Sequence, residues 1–161
     1  MFWGDAIVGE IESKLKNAGA PGTPLVVRDE KTASGRVHVG SLRGVAIHGV
    51  VAEILSERNI PNSFLYEIND FDPFDGIPGY LDHAQYEEYL GKPLCTVPSP
   101  DGKAKNYAEY FGREFEEVIH KLGFAPKFYR CSELYRGGKF NDTIRTALKE
   151  ADLIRSIYQR V

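Results

Sequence analysis

The sequence predicts an α/β fold built on a parallel sheet, and three observations carry that expectation. A short apolar run, Leu25-Val26-Val27, follows the turn cluster Gly19-Ala20-Pro21-Gly22-Thr23-Pro24, and a continuous run of this kind suits a strand buried on both faces. A loop of small residues comes next and opens into a helical spacing of Val45, Ile47, Val50, Val51 and Ile54. Then Ser63-Phe64-Leu65-Tyr66-Glu67-Ile68, rich in aromatic and branched side chains, reads as a second strand. Strand, helix and strand make a β-α-β unit with a right-handed crossover, whose ligand crevice lies beyond the carboxyl ends of the strands. That crevice would hold residues 30–36 and 69–75.

The elements follow in order. Ile7, Ile11 and Leu15 stand four apart, so residues 3–18 form a packing helix that Gly19 ends. The first strand is expected over 25–28, and the helix after the loop over 39–58, stopped by Asn59-Ile60-Pro61. Residues 69–103 are rich in Asp, Pro and Gly, with one short helix expected near 83–90, and read as an insertion in the α/β pattern. From 105 to 122 the face Tyr107, Phe111, Phe115, Val118, Ile119 and Leu122 predicts a helix with a core side. A further strand is expected over 127–131. Ile144, Leu148, Ala151, Ile154 and Tyr158 predict one helix over 141–161. It runs to the last residue without a cap, Gly or Pro, so the chain is expected to be part of a longer polypeptide.

Composition sets the outer bounds. With 161 residues and 42% hydrophobic content, one core of ordinary size is expected. A net charge of −3 gives no global basic surface, so nucleic-acid contacts would have to be local, and DNA is not an expected partner. Cys95 and Cys131 stand far apart and outside any Cys-x-x-Cys spacing, which argues against a metal site or a disulfide framework and fits a reducing cytoplasm. No uninterrupted apolar run approaches the roughly 20 residues that a membrane span needs, and no membrane partner is expected.

The junction between strand and helix gathers the residues of most chemical interest. Gly35 would let the loop turn tightly, and Gly40 in the first helical turn removes a Cβ where a ring or phosphate needs close approach. Helix-start amides carry partial positive charge, and His38 and Ser41 add donors beside them. That combination suits a polyphosphate, although neither Gly-x-x-x-x-Gly-Lys-Ser/Thr nor Gly-x-Gly-x-x-Gly is present. The competing reading is a βα turn in which Ser34 or another small polar residue caps the helix and His38 is a surface imidazole.

The run Thr32-Ala33-Ser34-Gly35-Arg36-Val37-His38-Val39-Gly40-Ser41 resembles the HIGH signature of class I aminoacyl-tRNA synthetases, in the form used by the class I lysyl-tRNA synthetases. Other segments agree in order and spacing: Phe2-Trp3-Gly4-Asp5, Asp70-Phe71-Asp72, Tyr89-Leu90-Gly91-Lys92-Pro93, Val97-Pro98-Ser99-Pro100-Asp101-Gly102, Tyr107-Ala108-Glu109-Tyr110-Phe111 and Ser132-Glu133-Leu134-Tyr135. The resemblance spans essentially the whole chain. It implies a Rossmann-like parallel sheet, of which this chain holds the first half with a helical connective insertion. The first half of the catalytic domain would occupy 1–70, and the insertion with the following strand and helix 71–161.

The resemblance implies lysine–tRNA ligation: ATP, accompanied by Mg2+, activates lysine to lysyl-adenylate, and the lysyl group passes to tRNA(Lys). His38 and Ser41 would be the catalytic donors, with Ser41 in the place of the signature's second His. Thr32, Ser34, Gly35, His38, Gly40 and Ser41 would line the ATP site, and no protein metal site is implied. Asp29, Glu30, Asp70 and Asp72 are the candidates for holding the lysine ammonium groups, each with a solvated loop carboxylate as the plainer reading. Of the other groups, His48 is expected to pack or to lie on the surface, and Tyr107, Tyr110, Phe111 and Phe115 to form core.

Three departures stand out. Glu30 occupies a place where the family often has a small residue, Pro73-Phe74-Asp75-Gly76 stands where basic residues are common, and nothing resembles the second signature, Lys-Met-Ser-Lys-Ser. Two rival readings follow: a synthetase-like module that binds nucleotide or amino acid without ligating it, and another class I synthetase.

Overall fold

The computed structural model describes residues 2–20 and 22–160. Pro21 of the turn cluster and Val161, the last residue of the helix expected over 141–161, lie outside the described residues. Three parallel strands, β1 (Leu25–Thr32), β2 (Asn62–Asn69) and β3 (Lys127–Arg130), form one sheet in the order β1-β2-β3. Helix α1 (Trp3–Asn17) precedes β1, and α2 (Val39–Glu57) crosses from β1 to β2. The connection from β2 to β3 carries the short α3 (His83–Tyr86), 3-10 turns at Glu87–Tyr89 and Leu94–Thr96, and α4 (Tyr107–Lys121). After β3 come α5 (Cys131–Arg136), α6 (Asn141–Lys149) and α7 (Ala151–Tyr158).

The register decides which side chains share a face. Asp29 pairs with Tyr66, and Tyr66 with Phe128. Tyr66 packs on Phe115 of α4 at 5.5 Å between ring centroids, while Asp29 lies against Gly44 of α2. Both crossover helices therefore cover the same face of the sheet. The opposite face carries Arg28, Glu30, Glu67 and Tyr129, neighbours across the ladders. There the buried Glu67 carboxylate pairs with Arg28, whose guanidinium also lies over the Tyr129 ring at 5.8 Å.

Two apolar clusters hold the layers together. Val8 of α1, Val27 of β1, and Val51, Ala52, Ile54 and Leu55 of α2 form one. The other joins Ala33, Val45, Tyr66 and Ile68 to Phe74, Tyr86, Leu94, Val97, Tyr107, Phe111, Phe115 and Ile119, so the segment after residue 70 shares its core with the first strands. Each such large side chain contributes on the order of 1.5–3 kcal/mol by leaving water. Tyr107, Phe111 and Phe115 are fully buried as expected of core residues, while Tyr110, expected with them, is only partly buried against the same cluster. Helix α2 is long and apolar enough to cross a membrane by length and composition; here it packs between α1 and the sheet.

Several boundaries differ from the sequence-based expectation. Strand β1 continues past residue 28 to Thr32, because the backbone from Asp29 to Thr32 finds a ladder partner in the last four residues of β2. Polar side chains made this stretch read as loop, yet pairing overrides composition. Residue 131 is not strand but the start of α5. The expected single helix over 141–161 breaks at Glu150, which has φ −95° and ψ 17°. Local signals were sufficient at the end of α2: Asn59 takes φ 57°, its N–H donates to Ser56 O at 2.9 Å, and Ile60 N–H donates to Leu55 O at 2.8 Å. These are the two bonds of a Schellman stop.

Candidate functional site

The carboxyl ends of β1 and β2 and the start of α2 meet in one crevice, where an open α/β sheet places its ligands. His38 immediately precedes α2 in extended backbone, and its side chain makes no capping bond. No acidic residue stands in the first turn, so the partial positive charge of the leading amides is not neutralised from within the helix. The reading in which Ser34 caps the helix is corrected: Ser34 lies in the loop, and its carbonyl accepts a hydrogen bond from the Tyr107 hydroxyl at 2.8 Å. His38 and Gly40 come together, since a Cβ on Gly40 would stand 3.1 Å from His38 Nδ1. The imidazole lies against the first turn, on an exposed part of the loop.

Behind this turn is a cleft of about 250 Å³ lined by Asp29, Glu30, Lys31, Gly40, Ser41 and Gly44. It brings the Asp29 side chain and the backbone of Glu30, two of the expected lysine-side residues, beside two of the expected ATP-side residues. Asp29 Oδ1 accepts from the Glu30 N–H at 2.9 Å, while Oδ2 is buried without a hydrogen-bond partner. Oδ2 rests on Gly44, where a Cβ would come within 2.5 Å, and lies 3.4 Å from His48 Nδ1. His48 Nδ1 is also 2.9 Å from the Gly44 carbonyl. Thus His48 packs against the floor of the cleft, four residues beyond the glycine that admits Asp29.

Lys31 is a cation whose role the sequence did not show. It points to the helix-covered face, its ammonium 5.7 Å from the Phe115 ring centroid, and burial lowers its pKa. Its only signal in the sequence is a lysine placed just before the small-residue loop. Glu30, one residue earlier, projects from the other face and is exposed, and its carbonyl accepts from the Tyr66 hydroxyl at 3.2 Å.

The remaining expected residues divide. Thr32 Oγ1 donates to Asp72 Oδ2 at 2.7 Å, which ties the end of β1 to the segment after β2. Asp70 is buried, and both of its oxygens are engaged: Oδ1 accepts from Ser132 N–H at 2.7 Å, and Oδ2 accepts from Ser132 Oγ–H at 2.5 Å. The carboxylate thus satisfies the first turn of α5, whose start at residue 131 the sequence did not show. Gly35 stands in a bend of the loop, as expected, and also in a close contact, since a Cβ there would lie 2.6 Å from the Tyr80 hydroxyl. Tyr80 is a second residue that sequence reasoning missed, reaching the loop from the inserted segment. Cys131 is buried, and burial followed by the Glu67 carboxylate pushes its thiol up to about 12, which suits a packing group. Among the described residues, no group of three or more His, Cys, Asp or Glu could hold a metal ion.

Larger hollows lie elsewhere, including one of about 640 Å³ between α2 and Phe124. It sits at the amino end of β2 beside Asn62, the wrong end of a parallel sheet for a ligand crevice.

Comparison with known proteins meets this geometry. The family model for tRNA synthetases class I (K) matches residues 1–161. The chain belongs to the class I (K) tRNA synthetases. Among relatives of this synthetase chain is the lysine–tRNA ligase of Methanosarcina barkeri (strain Fusaro), 34% identical over 161 residues, or 100% of the chain and 28% of the relative. The lysine–tRNA ligases of Pyrococcus furiosus and Pyrococcus horikoshii are 36% and 33% identical, each over 99% of the chain and 30% of the relative. The synthetase chain therefore spans under a third of the length of these relatives.

Proposed function

We propose that this chain carries the ATP- and lysine-binding part of a lysine–tRNA ligase. The observation that carries the reading is the cleft that sets Asp29, Glu30 and Lys31 beside Gly40 and Ser41 at the uncapped start of α2. The family membership and the names of the relatives support it.

The triphosphate lies against the first turn of α2, where leading amides, the His38 imidazole and the Ser41 hydroxyl donate to its oxygens. Lysine's carboxylate attacks the α-phosphorus, giving lysyl-adenylate and pyrophosphate, and the lysyl group then passes to the terminal adenosine of tRNA(Lys). The protein forms no covalent bond in activation; it positions the reactants and stabilises charge as it develops. Loss of one preorganised donor of this kind costs about 2.7–4 kcal/mol of barrier, and that is the share assigned to His38. Ser41 donates without adding a cation. Lys31 lies on the same face of the sheet as α2 and contributes positive charge to the cleft. The ammonium groups of lysine face Glu30 and Asp72 at the carboxyl edge of the sheet, across β1 from α2, with Thr32 holding Asp72 in place; Asp29 shapes the floor of the cleft on the α2 side. Asp70 serves the fold.

Magnesium accompanies ATP. The described residues supply no cage of three ligands, and Mg2+ readily binds through phosphates and water with only one or two carboxylates. When bound, the ion neutralises phosphate charge; the positioning described above is done by the chain's own residues.

The test is titration calorimetry on the folded chain with MgATP, adenosine, lysine and norleucine. ATP should bind more tightly than adenosine, and His38→Ala should remove most of that preference. Lysine should bind more tightly than norleucine, and Glu30→Gln should narrow the gap. A folded chain that prefers neither ATP over adenosine nor lysine over norleucine would overturn the assignment.

A further inference from the structure

Residues 33–38 connect β1 to α2 and carry the donors assigned to ATP. The loop is anchored at its ends by backbone bonds, Ala33 N–H to Asn69 O at 3.1 Å and Ser41 N–H to His38 O at 2.9 Å. Its middle is held differently. The Ser34 carbonyl accepts from the Tyr107 hydroxyl at 2.8 Å, and the Arg36 N–H donates to the Tyr80 hydroxyl at 2.9 Å. Both hydroxyls belong to the connection between β2 and β3, the second of them 44 residues beyond the loop. We propose that Tyr80, acting with Tyr107, is a positioning residue for the nucleotide loop, so that the inserted segment sets how well the loop receives ATP; this rests on the ATP reading above.

Four features make Tyr80 more than a neighbour. Its ring packs on Phe111 at 6.2 Å between centroids, which joins it to the buried cluster even though the residue is 52% exposed. The turn beneath it is closed by Leu81 N–H to Pro78 O at 2.9 Å. The Arg36 guanidinium lies over the ring, 5.5 Å from its centroid. Gly35 leaves room for the hydroxyl, since a Cβ would stand 2.6 Å from it. Tyr107 differs in being 0% exposed, so its hydroxyl is placed by the core and fixes Ser34. Tyr80 is the adjustable member of the pair.

Holding a loop in its bound shape before the ligand arrives lowers the ordering cost of binding. Removing the Tyr80 hydroxyl should therefore weaken ATP while leaving the core alone. The glycine gives an independent lever. If Gly35 exists to admit the Tyr80 hydroxyl, its replacement by Ala matters only while Tyr80 is present. If Gly35 exists so that ligand can approach the backbone, the replacement matters in any background.

The experiment uses the full chain with Tyr80→Phe, Gly35→Ala, Tyr80→Ala and the Gly35→Ala/Tyr80→Ala double variant, reading amide hydrogen exchange over 34–37, MgATP affinity and Tm. Tyr80→Phe should speed exchange at Arg36 and weaken ATP about fivefold, the effect of one modest hydrogen bond, with Tm unmoved. Gly35→Ala should weaken ATP similarly alone and add nothing in the Tyr80→Ala background. Unchanged exchange and affinity in Tyr80→Phe would overturn the proposal, as would an equal Gly35→Ala loss in both backgrounds. A folded wild-type chain that binds no ATP would sink the proposed function and, with it, the tether's part in ATP binding, while amide exchange would still report whether the tether itself exists.

Discussion

Replacing Asp70 by Ala should destabilise the protein strongly, because this carboxylate holds the start of a helix. Asp70 and Ser132 are both buried, and the two carboxylate oxygens accept from Ser132 N–H and Oγ–H at 2.7 and 2.5 Å. Hydrogen bonds to a charged group are worth about 1.5–3 kcal/mol each, and a buried donor left without a partner costs about 1–3 kcal/mol. The two bonds share one partner and are not additive. Together these give a loss of about 3–4 kcal/mol for Asp70→Ala, equivalent to a fall in Tm of roughly 6–16 °C for a chain of this size. Asp70→Asn keeps the shape and one acceptor, so its cost should be smaller, about 1.5–3 kcal/mol. Urea unfolding followed by circular dichroism, with Ser132→Ala as the partner in a double-mutant cycle, measures the coupling. An Asp70→Ala variant within about 0.5 kcal/mol of wild type, the range of an ordinary surface change, would refute the reasoning. So would an Asp70→Asn variant that keeps full stability while losing lysine.

Two helical glycines should respond to Ala with opposite signs in the same unfolding assay. At Gly44 the new Cβ meets Asp29 Oδ2 at 2.5 Å, and overpacking of about 1–3 kcal/mol outweighs the helix-propensity gain; at Gly9 of α1 nothing lies within 4 Å, and a gain of about 0.5–1 kcal/mol is expected. Phe115→Ala should cost about 3–5 kcal/mol, since the side chain is 1% exposed and packs against Tyr66. Asp101 is held down to about 2 by the Ser99 hydroxyl and by the Ala104 and Lys103 amides, against an ordinary value of 3.8. A depressed carboxylate stabilises the fold above its unfolded pKa and loses that contribution as pH falls through the folded one. The Tm gap between wild type and Asp101→Asn should therefore be constant above pH 4 and close as pH drops toward 2; a gap unchanged over that window would show that the Asp101 bonds do not favour its charged form.

Local physics made much of the fold legible. The Asn59-Ile60-Pro61 stop was readable because a Schellman cap needs only a residue that tolerates positive φ and no partner from afar. The core face of α4 followed from helical spacing, and the order of apolar runs was enough for a β-α-β unit. The HIGH-like loop was likewise a contiguous string, so His38, Gly40 and Ser41 could be named together. What composition could not supply was the partner of each polar group. Asp29 and Glu30 looked like loop residues until β2 gave their backbone a ladder, which then sent Asp29 beneath α2 and Glu30 to the opposite face. Asp70 and Asp72 are alike in sequence, yet one closes the first turn of α5 and the other receives Thr32. Gly35 lies in a bend as read, and the contact that crowds it comes from a hydroxyl brought from Tyr80. Propensity and periodicity within a few residues were enough for the β-α-β order, the core face of α4 and the place of the unusual loop, but not for the length of β1, the start of α5 or the break at Glu150. The partners of Asp70, Asp72 and the loop came from packing instead, because a polar side chain's role is set by whichever group the core places within hydrogen-bond reach.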